Sequence, residues 1–288
     1  MKIKRYNYSK ALSFFSILIL LVLITGCNGG APPIGELYGT IDVNSTPSGA
    51  KVYLDGEDTG QITPIVLTNI DVGDHIIELR KFHYQDWEGV VTVIAGQTAY
   101  LNPPLVWALE ETIKIQPDSL EGKDTCVWYN HPTSNYGNDD YLWIGTYTGV
   151  IVRSYLQFDL SDVPPNAVIL DANLGLYNYY SYGLTSIPIG LYTVTESWAE
   201  DTITWDNQPS SSSEVTDIQI LPTIQTDNFV HWQIGDLVKG WREESIANYG
   251  MVLRHTDESS VDDIKWFFSS DYSTAINRPK LIINFYVP

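Results

Sequence analysis

The run Ala167-Val168-Ile169-Leu170-Asp171-Ala172-Asn173-Leu174-Gly175-Leu176-Tyr177 alternates apolar and polar or small residues from Leu170 onward. Successive side chains of a strand point to opposite faces, so this pattern buries one face and leaves the other to solvent. Ten further segments of similar texture lie between Thr112 and Tyr286, separated by loops rich in Gly, Pro, Asn and Asp. Many short strands with that punctuation predict a β-sandwich or a jelly roll. One stretch departs from it. Ile234, Leu237, Val238 and Trp241 recur at helical spacing and predict a short helix between Gly235 and Glu244, capping one end of the sandwich.

Upstream, residues 36–105 hold six short alternating runs, from Tyr38 to Val43 through Thr98 to Leu101. Asp55-Gly56, Gly60 and Gly73-Asp74 are hairpin signals. Nothing there has a helical period. Pro103-Pro104 marks a junction, so the reading is all-β: a small β-domain at 36–105, then a larger β-sandwich or jelly roll at 107–288 with one short helix.

The 288 residues carry 16 Lys and Arg against 35 Asp and Glu, a formal charge of −19. Lys2, Lys4, Arg5 and Lys10 belong to a cationic start that precedes the apolar run Ala11 to Ile24. That run is short for a membrane span of about 20 residues, and residues 1–27 read as a signal peptide. Without them the chain has 12 cations and 35 acids, a charge of −23. So acidic a chain repels nucleic acid and anionic membrane, which excludes non-specific binding to either as a primary function. Leu23-Ile24-Thr25-Gly26-Cys27 resembles a bacterial lipobox. The resemblance implies lipidation of Cys27 and a lipid-anchored protein of the cell envelope, at the outer membrane or cell surface. Residues 28–35 are rich in Gly and Pro and read as a flexible tether. Cys126 is then left without a disulfide partner and reads as a buried structural thiol.

Two stretches carry family resemblances. Thr46-Pro47-Ser48-Gly49-Ala50-Lys51-Val52-Tyr53-Leu54-Asp55-Gly56, followed by Thr63-Pro64, Val72-Gly73-Asp74-His75 and Ala95-Gly96-Gln97-Thr98, resembles a PEGA domain, with Ser48 at the second position of the name-giving tetrapeptide. This implies a small β-sandwich with a spacer or adhesive role and no catalysis. Arg153-Ser154-Tyr155-Leu156-Gln157-Phe158-Asp159-Leu160-Ser161 and Trp198-Ala199-Glu200-Asp201-Thr202-Ile203-Thr204-Trp205-Asp206-Asn207-Gln208-Pro209 resemble the DNRLRE domain, grouped with carbohydrate-binding modules and related to disaggregatase repeats. This implies a jelly roll, with some members binding acidic polysaccharide such as alginate. One departure stands against that substrate. The domain has nine Lys and Arg against 25 acids, so composition supplies no basic groove. A neutral glycan, or calcium bridging two anions, is equally open.

Catalytic patterns are missing from the sequence: no H-E-x-x-H, G-x-S-x-G, P-loop or G-x-G-x-x-G occurs. Glu196, Glu200 and Asp201 offer paired carboxylates for glycoside hydrolysis, but they lie at a motif position that reads as structural. The chain is therefore read as a non-enzyme. Sugar binding needs exposed aromatic rings, on which the apolar face of a pyranose stacks. Tyr179, Tyr180 and Tyr182 lie in a predicted Tyr-rich loop, and alternation puts Tyr141 and Trp143 on one strand face. These five, with Arg153, are the candidate carbohydrate-binding residues; for Arg153 a structural ion pair is the competing role. Trp198, Trp205 and Trp266 read as core. Calcium is the candidate cofactor, with Asp124, Asp159 and Asp171 as its candidate ligands. The expected function is a cell-surface lipoprotein that binds extracellular or envelope polysaccharide through its C-terminal domain. The alternative is a structural or adhesive envelope protein that binds protein partners without glycan affinity.

Overall fold

The computed structural model describes residues 37–259 and 263–288. Cys27, the leader and the tether lie outside the described residues. The fold is almost entirely β, with one short helix. Among the described residues no helix is long and apolar enough to cross a membrane.

The first unit packs two sheets face to face. Strands β4 (Ile65–Asp71), β1 (Tyr38–Val43) and β7 (Thr98–Leu101) form one sheet in that order; β3 (Glu57–Ile62), β2 (Lys51–Leu54), β5 (Gly73–Arg80) and β6 (Trp87–Val93) form the other. Alternate residues meet in the core, Ile41 and Val43 from one sheet and Val52, Ile77, Leu79, Val91 and Val93 from the other. Asp55 and Gly56 both hold positive φ, 52° and 85°, at the tight turn joining β2 to β3. β3 is the strand that the alternation missed. Its sequence, Glu57-Asp58-Thr59-Gly60-Gln61-Ile62, has no buried residue, because it is an edge strand paired only to β2.

In the second unit eleven strands join one continuous, curled sheet. The path is β14 (Ser211–Leu221), β13 (Ile187–Val194), β16 (Met251–His255), β11 (Val150–Leu156), β10 (Tyr141–Tyr147), β17 (Asp263–Phe268), β12 (Val168–Tyr182), β18 (Lys280–Tyr286) and β8 (Glu110–Ile115). Off that path, β15 (Asn228–Gln233) pairs with β12 and β9 (Asp124–Trp128) with β11. The 15-residue β12 belongs to both layers. It pairs with β18 from Val168 to Gly175, with β15 from Asn173 to Asn178, and with β17 from Asn178 to Tyr182. The sheet thus folds over one core, where Leu174 and Leu281 meet Leu142, Leu191, Leu253 and Phe267 around Trp232. Helix α1 (Gly235–Arg242) closes that core with Leu237, Val238 and Trp241, the face its spacing predicts.

A ring stack joins the two units. The His83 imidazole lies between Trp107, at 5.1 Å and 7°, and Tyr286 at the end of β18, at 5.3 Å and 24°. The backbone N–H of His83 donates to the Tyr286 hydroxyl at 3.2 Å.

Candidate functional site

Opposite the main core, the outer faces of β10, β17 and β12 form a run of aromatic rings. The register pairs Trp143 with Trp266 and Tyr141 with Phe268, while Leu142 and Phe267 point into the core. Alternation along β12 sends Ala172, Leu174, Leu176 and Asn178 inward and Tyr177 and Tyr179 outward. A β-bulge then shifts the register: Asn178 faces Phe267 and Tyr180 faces Trp266, leaving Tyr179 as the extra residue. The phase of the strand changes there. Tyr179, Tyr180 and Tyr182 all reach the outer side, and Ser181 takes the inward position opposite Lys265.

The predicted tyrosine loop is therefore strand, and the bulge resolves why a Tyr-Tyr-Ser-Tyr sequence belongs in one. Asn178 holds it. Its buried side chain donates to the carbonyls of Tyr180, at 2.9 Å, and Trp266, at 3.1 Å. Its oxygen accepts from the Thr226 N–H at 3.0 Å and the Ser181 hydroxyl at 3.3 Å.

The five aromatic candidates are brought to one face, with different roles. Tyr141, Tyr179, Phe268 and Tyr272 form a stacked column: Tyr141 to Tyr179 is 5.0 Å, Tyr179 to Phe268 4.5 Å and Phe268 to Tyr272 3.6 Å. Ring faces inside such a column are covered by other rings. Burial and the neighbouring Tyr141 and Tyr272 phenols push the Tyr179 hydroxyl far above its ordinary range. Trp143 is likewise covered, by Trp128 at 4.7 Å and Trp266 at 4.0 Å. Tyr180 and Tyr182 stand proud, 40% and 47% exposed. Tyr180 rests on Trp266 at 4.7 Å, and Tyr182 meets the exposed Tyr147 edge-to-face at 5.2 Å. Trp266, read from sequence as core, is instead half-buried at the centre of the run. Its signal was available: Phe267 is the inward residue of β17, so its neighbours point out.

Arg153 is not part of this face. Its Nε and Nη2 donate to Glu258 at 2.7 and 2.6 Å, its Nη1 donates to Gln208 at 2.9 Å, and the guanidinium lies 4.7 Å over Trp205. This is the structural ion pair. The 196–209 segment around it covers another outer patch, where Trp198, Ile203 and Trp205 pack on Val127, Tyr155, Tyr192 and Val252. Glu200 in that segment accepts the Asp124 N–H at 2.7 Å, and Glu196 accepts the Ser210 N–H at 3.0 Å. Both carboxylates are occupied in holding the segment.

The three aspartates proposed for calcium are not brought together. Asp124 is buried and accepts the Ser270 N–H at 3.0 Å; burial pushes its carboxyl up to about 7. Asp159 is exposed and accepts from the Ser161 N–H and hydroxyl, each at 2.9 Å. Asp171 accepts from the Asn284 amide at 3.0 and 3.1 Å. Among the described residues no group of three or more His, Cys, Asp or Glu is arranged to hold one metal ion. Cys126 is buried beneath Trp128, whose indole N–H lies 3.2 Å from its sulfur, and burial pushes its thiol up to about 12. That thiol is not a nucleophile at neutral pH.

Comparison with known proteins finds one family match in each part of the chain. Residues 118–285, more than half of the sequence, match carbohydrate-binding module family 96. Residues 38–107 match the PEGA domain. No curated protein matches the chain. Among solved structures, the TIE protein of Bacillus anthracis is 9% identical, with 81% of this chain and 48% of that one covered and a TM-score of 0.20. The major pilin SpaD of Corynebacterium diphtheriae is 8% identical, with 87% and 58% covered and a TM-score of 0.19. The match thus spans about half the length of each.

Proposed function

The chain belongs to carbohydrate-binding module family 96, and from that premise we propose that it holds extracellular or envelope polysaccharide on the outer face of β10, β17 and β12, without cleaving it. The observation that carries this is the bulge in β12, which places Tyr180 and Tyr182 in solvent on a floor of packed rings. A pyranose stacks on such rings through its apolar face, and immobile rings lose little entropy on binding. Of the three carboxylates considered for glycoside hydrolysis, Glu196 and Glu200 are engaged by backbone N–H groups, which speaks against the glycosidase reading. The lipobox-like sequence ending at Cys27 supports a lipid anchor in the cell envelope, with the PEGA-matched unit as a spacer between anchor and glycan. DNRLRE remains our family-level name for the motifs at 153–161 and 198–209.

The test is a glycan-array scan of the full chain, with calcium and again with EDTA. Selective binding that falls about tenfold or more in Tyr180→Ala and Tyr182→Ala is expected, since a stacked ring contributes about 1–2 kcal/mol. Binding that survives both substitutions moves the site elsewhere. No binding by a folded sample turns the assignment to a structural or adhesive protein. EDTA sensitivity would bring calcium back.

A further inference from the structure

Beyond Tyr177 the outer face of β12 continues to Gly175, and there its chemistry changes. Gly175 pairs with His231 of β15 on one side and Lys280 of β18 on the other. A Cβ at this position would lie 3.1 Å from His231 Cε1 and 3.2 Å from Lys280 Cε. The bare backbone therefore lets the imidazole and the lysine stem close over a common floor. Lys114 of β8 flanks them; its ammonium donates to Gln116 Oε1 at 2.9 Å. Lys280 Nζ lies 3.3 Å from the centre of the Phe229 ring, and Phe229 meets Tyr177 edge-to-face at 5.4 Å. The aromatic run thus reaches the cluster.

This charge is uncompensated. Burial, then the charge of Lys114, lowers the affinity of Lys280 for its proton; burial, then Lys280, does the same to His231. No carboxylate among the described residues lies within 4.0 Å of the two ammonium groups or the imidazole, in a chain with more than twice as many acids as cations.

We propose that Lys114, His231 and Lys280, around the Gly175 floor, form an oxyanion subsite that receives a sulfate ester of the bound glycan. The proposal rests on reading the outer face of β12 as glycan-binding. An anion seated here relieves the repulsion between the two lysines, and the imidazole offers it an N–H donor. The donors select which anion. Planar carboxylates are best held by the two-pronged fork of arginine, and the cluster contains none. Two ammonium point charges and an imidazole N–H from separate strands suit the spread oxygens of a tetrahedral ester. Phe229 offers the adjoining ring for the sugar that carries it.

Titration calorimetry of the full chain against dextran, dextran sulfate and alginate, at about 0.15 M salt, tests this. These probes separate sulfation from backbone and sulfate from carboxylate. Dextran sulfate should bind about tenfold or more tighter than dextran, and the Lys280→Gln/His231→Gln variant should lose that gain. Gly175→Ala keeps every charge but pushes His231 and Lys280 apart, so it should lose the gain as well. Its thermal unfolding checks that the fold persists. The proposal is overturned if sulfation adds nothing, if the gain survives in both variants, or if alginate binds more tightly than dextran sulfate. Failure of this proposal alone leaves neutral-glycan binding that depends on Tyr180 and Tyr182. Failure of the underlying reading leaves no glycan bound at all.

Discussion

Asn178 is the residue on which the aromatic face depends, and its removal has a calculable cost. Asn178→Ala deletes four hydrogen bonds, two donated to the carbonyls of Tyr180 and Trp266 and two accepted from Thr226 and Ser181. A typical intramolecular hydrogen bond contributes about 1 kcal/mol net, and leaving its buried partner unpaired raises the loss to about 1–3 kcal/mol. Ser181 is part-exposed and can turn to water, so three bonds dominate. The expected loss is about 3–5 kcal/mol in urea unfolding, a large share of the stability of an ordinary domain. Asn178→Asp keeps the accepting oxygen but replaces the NH2 group that donates both bonds with one oxygen facing two carbonyls, so it should lose a similar amount. If the bulge relaxes, Tyr180 and Ser181 exchange faces, and glycan affinity should fall beyond what partial unfolding explains. A loss under about 1 kcal/mol with unchanged glycan binding would refute the view that Asn178 holds the bulge.

Three further outcomes follow from the geometry. Asp124 keeps its proton in the fold up to about pH 7 but loses it near 3.8 when unfolded, so its contribution to stability is complete below about pH 4 and is lost as pH rises to 7, by about 4 kcal/mol. Asp124→Asn should flatten that part of a pH series of melting curves, with a residual slope of the same sign from Glu200 and Asp271, which burial also raises; an unaltered slope counts against it. Arg153→Lys should lower stability by about 1–3 kcal/mol by losing the Glu258 fork and the Trp205 stack, while calorimetry shows glycan affinity unmoved. On the first unit, the hydrogen bond between His75 Nδ1 and Asp55 at 2.7 Å raises the imidazole and lowers the carboxyl. The pair therefore contributes between about pH 4 and 6.5, fading above as His75 deprotonates and below as Asp55 protonates; His75→Gln should differ from the parent chiefly in that window.

The strands of the second unit could be read from the sequence because their inner faces are consistently apolar. Leu174, Leu142 and Leu253 each sit in an alternating run that one buried face explains. β3 could not be read, since an exposed edge strand needs only backbone partners and leaves no hydrophobic period. The end of β12 was misread for another reason. A bulge reverses the alternation, and the only trace it leaves in the sequence is a polar Asn178 where the inward series of Ala172, Leu174 and Leu176 predicts an apolar residue. Aromatic identity alone did not separate Tyr180, which presents its ring to solvent, from Tyr141 and Tyr179, which stack against other rings. The cationic cluster was hidden by an average. Nine Lys and Arg against 25 acids describe the whole domain, whereas two of those nine, Lys114 and Lys280, are gathered with His231 where β8, β18, β12 and β15 run side by side.

The sharing of β12 between both layers has a mechanical consequence. A polymer held along its outer face and pulled by flow or by a second attachment delivers tension along the strand. β12 is hydrogen-bonded to β18, β15 and β17 in turn over its 15 residues. Those bonds lie across the direction of pull, so a load in shear is divided among many of them and they must yield together. A strand peeled from a free edge surrenders its bonds one at a time. A glycan held over this interior strand, as we propose, would let the sheet act as a grip under drag, with the first failure expected at the ring contacts and not in the fold.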